Sequence, residues 1–167
     1  MNEEGLASSW TCLASLLMAI ALGAVTGAHA QAVYRQNGKA LLPDRKYTPG
    51  RVAIRDKGRL CPHADTVARR HVTESMKRRV CQEYSVFRID CTGAKYEIDH
   101  LIPLELGGSN DLRNLWPQPI EQAREKDKLE THLQSLVCSD KVSLPFAQHQ
   151  IASDWWTSYG KYMGGEK

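Results

Sequence analysis

The sequence predicts an α+β fold: a strand–turn–strand–helix finger packed with additional helices and stapled by disulfides. Three observations carry this reading. An apolar strand from Tyr96 to about Leu101 precedes a turn at Gly107-Gly108-Ser109-Asn110, and the chain returns over Leu112 to Trp116 before Pro117 and Pro119 stop it. A charged helix follows, from near Glu121 to about Val137, with Leu129, Leu133 and Leu136 as its apolar stripe. Cys61, Cys81, Cys91 and Cys138 give an even number of cysteines beyond a hydrophobic leader.

The leader occupies residues 1–30 of the 167. Leu13 to Val25 is an apolar run, and Ala28-His29-Ala30 is a small-x-small cleavage pattern before Gln31. The run is too short to span a bilayer comfortably, which takes roughly 20 apolar residues. The alternative is an uncleaved anchor, since Glu3 and Glu4 stand where Lys or Arg is usual. The expectation is an exported protein, periplasmic or secreted, with Cys12 and His29 lost on cleavage. Removing the leader takes away two acids and no base, so the formal net charge rises from +3 to +5. Two disulfides in one of three pairings suit an exported domain, and a four-cysteine zinc site is disfavoured because no Cys-x-x-Cys spacing occurs.

Residues 31–65, rich in Gly, Pro and charge, read as an irregular arm, and residues 66–167 as the main domain, its strand–turn–strand–helix core at about 95–137. Nine Lys or Arg against three acids between Arg51 and Arg79 form a basic segment that suits a polyanion, or else a solvated face. Thr73 can cap a helix running to about Tyr84, with Met76, Val80 and Tyr84 on one side and Arg78 and Arg79 projecting elsewhere. Ser143 caps a final helix over about 143–162, with Pro145 in its first turn. Ala147, Ile151, Trp155, Ser158 and Tyr162 recur there at helical spacing, which favours core packing over a base-stacking surface. His63, His71 and His149 have no spacing that suggests a metal site.

The chemistry concentrates at Asp99-His100. Hydrolysis of a phosphodiester requires an activated water and relief of charge at the leaving oxygen. Neutral imidazole can take a proton near working pH, which suits His100 to the general base. A carboxylate can hold a divalent cation at the leaving oxygen, which suits Asp99. Neighbours on a strand face opposite ways, so the pair needs a local twist, a bulge or a substrate lying across the edge. Asn114 can hold the turn and, through backbone contacts, orient His100. Extending the leucine stripe of the following helix backwards reaches Lys126 and Gln122, whose side chains therefore face inward, while Arg124 and Lys128 fall on another side. Lys126 can bind the scissile phosphate, or instead pair with Glu105 or Glu130. Glu97, two residues before Asp99, can assist a cation indirectly or pair with an arginine.

The order Asp99-His100, Pro103, Gly107-Gly108, Asn114-Leu115 and then a helix with Lys126 resembles the HNH endonuclease family. The run from Tyr96 to Asn110 is most similar to small exported bacterial members. The likeness extends to Thr48-Pro49-Gly50, Asn114 to Pro117, Ala123 to Asp127, Ala147-Gln148, Ile151-Ala152 and Asp154-Trp155, and so covers most of the chain after the leader. It implies a ββα-metal finger and metal-dependent endonuclease activity, with His100, Asn114 and Lys126 as the catalytic group. The family places a His or Asn on the helix as a second metal ligand, and this helix offers Gln122-Ala123-Arg124 there. Gln122 is the candidate, because its carbonyl oxygen can coordinate a hard cation, or else it only hydrogen-bonds the hairpin. Asp99 and Gln122 with waters suit Mg²⁺. Arg69, Arg70, Arg78, Arg79, Arg124 and Lys128 are the expected nucleic-acid contacts, with DNA preferred to RNA. The alternative is an exported non-catalytic module that binds nucleic acid or another polyanion on a degenerate HNH fold.

Overall fold

A computed structural model describes residues 34–61, 66–84 and 94–164. The leader, His63, Asp65 and Cys91 lie outside the described residues. Among those described the fold is α+β, with two small antiparallel sheets and five α-helices. None of these helices is long and apolar enough to cross a membrane.

The chain opens with a hairpin, β1 (Tyr34–Asn37) and β2 (Ala40–Pro43), paired from Tyr34↔Pro43 to Asn37↔Ala40. This corrects the irregular arm expected over 31–65. Gly38 takes φ +56° at the turn, and Ala40 and Leu42 send their side chains into the core. The polar Tyr-Arg-Gln-Asn of β1 shows little alternation, so pairing with β2 and docking on the last helix hold it in place. The Trp155 indole Nε1 donates to Leu41 O at 3.0 Å, and Asn37 Nδ2 donates to Asp154 Oδ2 at 2.7 Å.

Two single-turn helices, α1 (Lys57–Leu60) and α2 (Thr66–Arg69), precede α3 (Glu74–Glu83). Thr73 caps α3 by accepting from Met76 N, and Val80 and Tyr84 are buried, as the spacing predicts. The finger follows: β3 (Tyr96–His100) pairs antiparallel with β4 (Leu115–Pro119), Asp99 opposite Trp116 and His100 opposite Leu115. β4 begins three residues later than expected, because Leu112–Asn114 forms a 3₁₀ turn, and it runs through both prolines. In a two-stranded sheet each strand keeps a free edge, so a proline there need forfeit no ladder bond.

The helix α4 (Ile120–Cys138) buries Ala123, Lys126, Leu129, Glu130, Leu133 and Val137. The helix α5 (Leu144–Met163) starts at a Ser143 cap and is interrupted by extended backbone at Asp154. Its Ala147, Ile151, Trp155 and Ser158 are buried, in line with the core reading of that stripe. A disulfide joins Cys61, after α1, to Cys138, the last residue of α4. Cys81 is disulfide-bonded too.

The long loop between β3 and β4 is folded on itself and clamped by residues 50–54. Ala53 N and Ile54 N both donate to Gly107 O, at 2.8 and 3.0 Å, and Ser109 N donates to Arg51 O at 3.0 Å. Gly107 takes φ +78°, and a Cβ at Gly108 would lie 1.8 Å from Ile102 O. Only glycine fits at Gly108, because the obstacle is backbone rather than a side chain that can move aside.

Candidate active site

The end of β3, the start of the long loop, α2 and one face of α4 enclose a cleft of about 260 Å³. Asp99 and His100 both line it. The two are sequence neighbours, and β3 ends at His100, where strict strand alternation no longer applies. Glu97 lines the same cleft from β3, Glu105 from the loop, and Asp127 and Glu130 from α4. Arg70, just past α2, contributes the one cation among the described lining residues. Its Nη2 donates to Ile98 O at 2.9 Å, which ties the guanidinium to the finger.

Lys126 lies beneath this cleft. It is fully buried and donates to Asp99 Oδ2 at 2.7 Å, to His100 O at 2.8 Å and to Glu130 Oε1. Burial alone would favour the neutral amine, but Asp99 and Glu130 outweigh it and raise the Lys126 pKa. All three ammonium protons are therefore engaged by protein groups. The expected phosphate contact is corrected: the helical stripe carries Lys126 so far inward that its ammonium supports β3 from below. The ion pair with Glu130, the other role its position allowed, is present, and Asp99 joins it.

Gln122 is corrected as well. Its Oε1 accepts from Leu41 N at 2.9 Å and its Nε2 donates to Lys39 O at 3.1 Å, so its amide is held by the β1–β2 hairpin and does not line the cleft. One turn of α4 separates Gln122 from Lys126, and the hairpin absent from the sequence reading occupies the space beside it.

Asn114 is fully buried and uses its whole hydrogen-bonding capacity on the loop and the segment that clamps it. Nδ2 donates to Ile102 O and Ser109 O, both at 2.9 Å, while Oδ1 accepts from Ile102 N at 3.0 Å and Arg51 N at 3.2 Å. Its own carbonyl accepts from Leu101 N at 2.7 Å, next to His100. It is a positioning residue that shapes the loop, as the turn-holding role anticipated, and it does not reach the cleft.

The imidazole of His100 is nearly buried, and its Nε2 lies 3.0 Å from Asn110 Oδ1. Burial holds its pKa below the ordinary 6.5, with Asp99 and Asn110 opposing only in part. The ring is thus neutral at neutral pH, the form a general base needs. Burial, followed by repulsion from Asp99, pushes both Glu97 and Asp127 above the usual carboxylate range. Burial likewise leaves Glu130 raised, despite its bond to Lys126.

Of the expected nucleic-acid contacts, Arg70 reaches the cleft, whereas Arg69 is half-buried with its carbonyl accepting from Asn110 Nδ2 at 2.8 Å. Arg78, Arg79, Arg124 and Lys128 are exposed and do not line the cleft. Sequence reasoning missed Asn110, Asp127 and the second partner of Lys126. That missed partner is Asp99, since the pair with Glu130 was already read from the sequence; nothing local marks Asn110, whose backbone partners Arg69 and His71 lie on another segment.

Among the described residues no three His, Cys, Asp or Glu side chains stand together as a ready metal cage. The donor chemistry nonetheless fits a hard cation. Asp99 engages Lys126 through Oδ2, and no described side chain donates to its Oδ1. Glu97 and Asp127 line the same cleft, and burial followed by the Asp99 charge raises both carboxyls. Mg²⁺ characteristically takes one or two carboxylates and fills its remaining positions with water and substrate phosphate. No family model, curated protein or solved structure matches the chain.

Proposed function

We propose that this chain is a metal-dependent endonuclease of the HNH type that hydrolyses phosphodiester bonds of nucleic acid, and that it acts after export. The observation that supports this most is the shared cleft: Asp99, His100 and Arg70 line one space, with Lys126 fixing Asp99 from beneath. His100 is the general base, kept neutral by burial and so able to take a proton from the attacking water. Arg70 faces the substrate and binds a phosphate oxygen through its planar fork, the role first expected of Lys126. Asp99 would hold the divalent cation, with Glu97 and Asp127 lining the same cleft and water and substrate phosphate filling its other positions; when bound, the cation would offset charge at the leaving oxygen. Mg²⁺ suits this all-oxygen set better than Zn²⁺, which favours nitrogen and sulfur ligands.

Export is supported by the Cys61–Cys138 disulfide, since such bonds persist in oxidising compartments. DNA is the proposed substrate, which RNA in parallel assays would test.

Plasmid DNA incubated with the purified protein tests the reading. Cleavage that needs Mg²⁺, stops with chelator and is lost in His100→Ala supports an enzyme. Retardation of DNA without cleavage, equal in wild type and His100→Ala, would establish a non-catalytic polyanion-binding module instead.

A further inference from the structure

Asn110 sits just beyond the Gly107-Gly108 turn and makes three hydrogen bonds through one amide. Nδ2 donates to Arg69 O at 2.8 Å. Oδ1 accepts from the backbone N–H of His71 at 3.2 Å and lies 3.0 Å from His100 Nε2. The first two bonds fix the amide orientation, because a carbonyl can only accept and a backbone N–H can only donate. With the amide so oriented, Oδ1 faces His100 and offers no proton to it. The imidazole must therefore be the donor. In the neutral ring the proton then sits on Nε2 and the lone pair on Nδ1.

We propose that Asn110 is a positioning residue for the general base: clamped to the Arg69–His71 backbone, its amide holds His100 as the Nε2–H tautomer and leaves Nδ1 to accept the proton of the attacking water. This deepens the nuclease reading and rests on it for the catalytic part. The same clamp spans Arg70, whose flanking residues supply both backbone partners of the amide. One side chain thus ties the orientation of the base to the segment that carries the phosphate-facing arginine. In metal sites, hydrogen-bond partners of this kind set the tautomer and ring angle of the histidine they hold, and their loss costs about 10- to 100-fold in metal affinity or activity.

The test has two readouts. The first needs neither substrate nor metal. The ring Nε2–H of His100, identified by its absence in His100→Ala, should give a protected proton resonance in the wild-type protein. It should vanish in Asn110→Ala and persist in Asn110→Asp, which gives up the donor to Arg69 O but keeps the acceptor shared by His71 N and His100 Nε2. The second is kinetic: Asn110→Ala should lower kcat about 10-fold or more with little change in KM. A ring proton equally protected in Asn110→Ala, or one missing from a folded Asn110→Asp, overturns the proposal. So does a rise in KM at unchanged kcat, which would confine Asn110 to holding the Arg70 segment. A wild-type chain that cleaves nothing yet loses the ring proton in Asn110→Ala sinks the nuclease reading and keeps the tautomer lock. A nuclease whose ring proton ignores Asn110 does the reverse.

Discussion

Lys126 illustrates how burial decides a residue's role. An ammonium with no exposure, bonded to Asp99, Glu130 and the His100 carbonyl, cannot also meet a phosphate. Removing it leaves two carboxylates buried without their partner. Lys126→Met should therefore destabilise the fold by about 3–5 kcal/mol, read as a shift in the urea midpoint, while the affinity of the folded fraction for nucleic acid stays the same. A stable Lys126→Met with weakened binding would return Lys126 to the substrate. His100 has a different signature. Burial is the largest influence on it and holds its pKa below 6.5. As pH falls through about 6.5 the unfolded chain takes up a proton that the folded chain still refuses, so stability declines over the window below that value. The proposed cleavage needs the neutral ring, so the rate should hold through pH 6.5 and fall only at lower pH. His100→Ala should lower the rate by about 10²- to 10⁴-fold.

Elements, rather than single residues, explain where the sequence was legible. Helices α3, α4 and α5 follow from spacing and caps: Thr73 and Ser143 accept the first-turn amides, and Leu129 and Leu133 fall on the face that packs. The Asp99-His100 strand was readable for the same reason, a short apolar run before a Gly-Gly turn. The β1–β2 hairpin was not, since Tyr-Arg-Gln-Asn has no alternation and depends on docking against α5. Missing the hairpin misassigned Gln122, whose amide it captures. Gln122→Ala should accordingly cost about 1–2 kcal/mol of stability, with Mg²⁺ dependence of cleavage unchanged. The turn is more demanding. A methyl group at Gly108 meets backbone at 1.8 Å, so Gly108→Ala must deform the loop that Asn114 knits together. A loss of at least about 2 kcal/mol in thermal or urea unfolding is the expected outcome, together with loss of cleavage.

The finger is held from two directions. Residues 50–54 clamp the long loop, and α4 supports the strands from beneath. The Cys61–Cys138 disulfide closes the chain across 77 residues, from the end of α1 to the end of α4. A loop of that length restricts the unfolded state by about 4 kcal/mol, so reduction should lower the unfolding midpoint markedly. The basic segment read from the sequence resolves into distinct parts: Arg70 enters the cleft, Arg69 is half-buried beside Asn110, and Arg78 and Arg79 face solvent on α3. In the proposed reading, one cleft brings an imidazole and a carboxylate-bound dication to a single phosphate. The most direct test of this is the cleavage rate of wild type and Asp99→Ala as Mg²⁺ is titrated. The wild-type rate should rise and saturate with Mg²⁺ while Asp99→Ala stays slow and flat; an Asp99→Ala curve that overlays the wild type would remove the cation from Asp99.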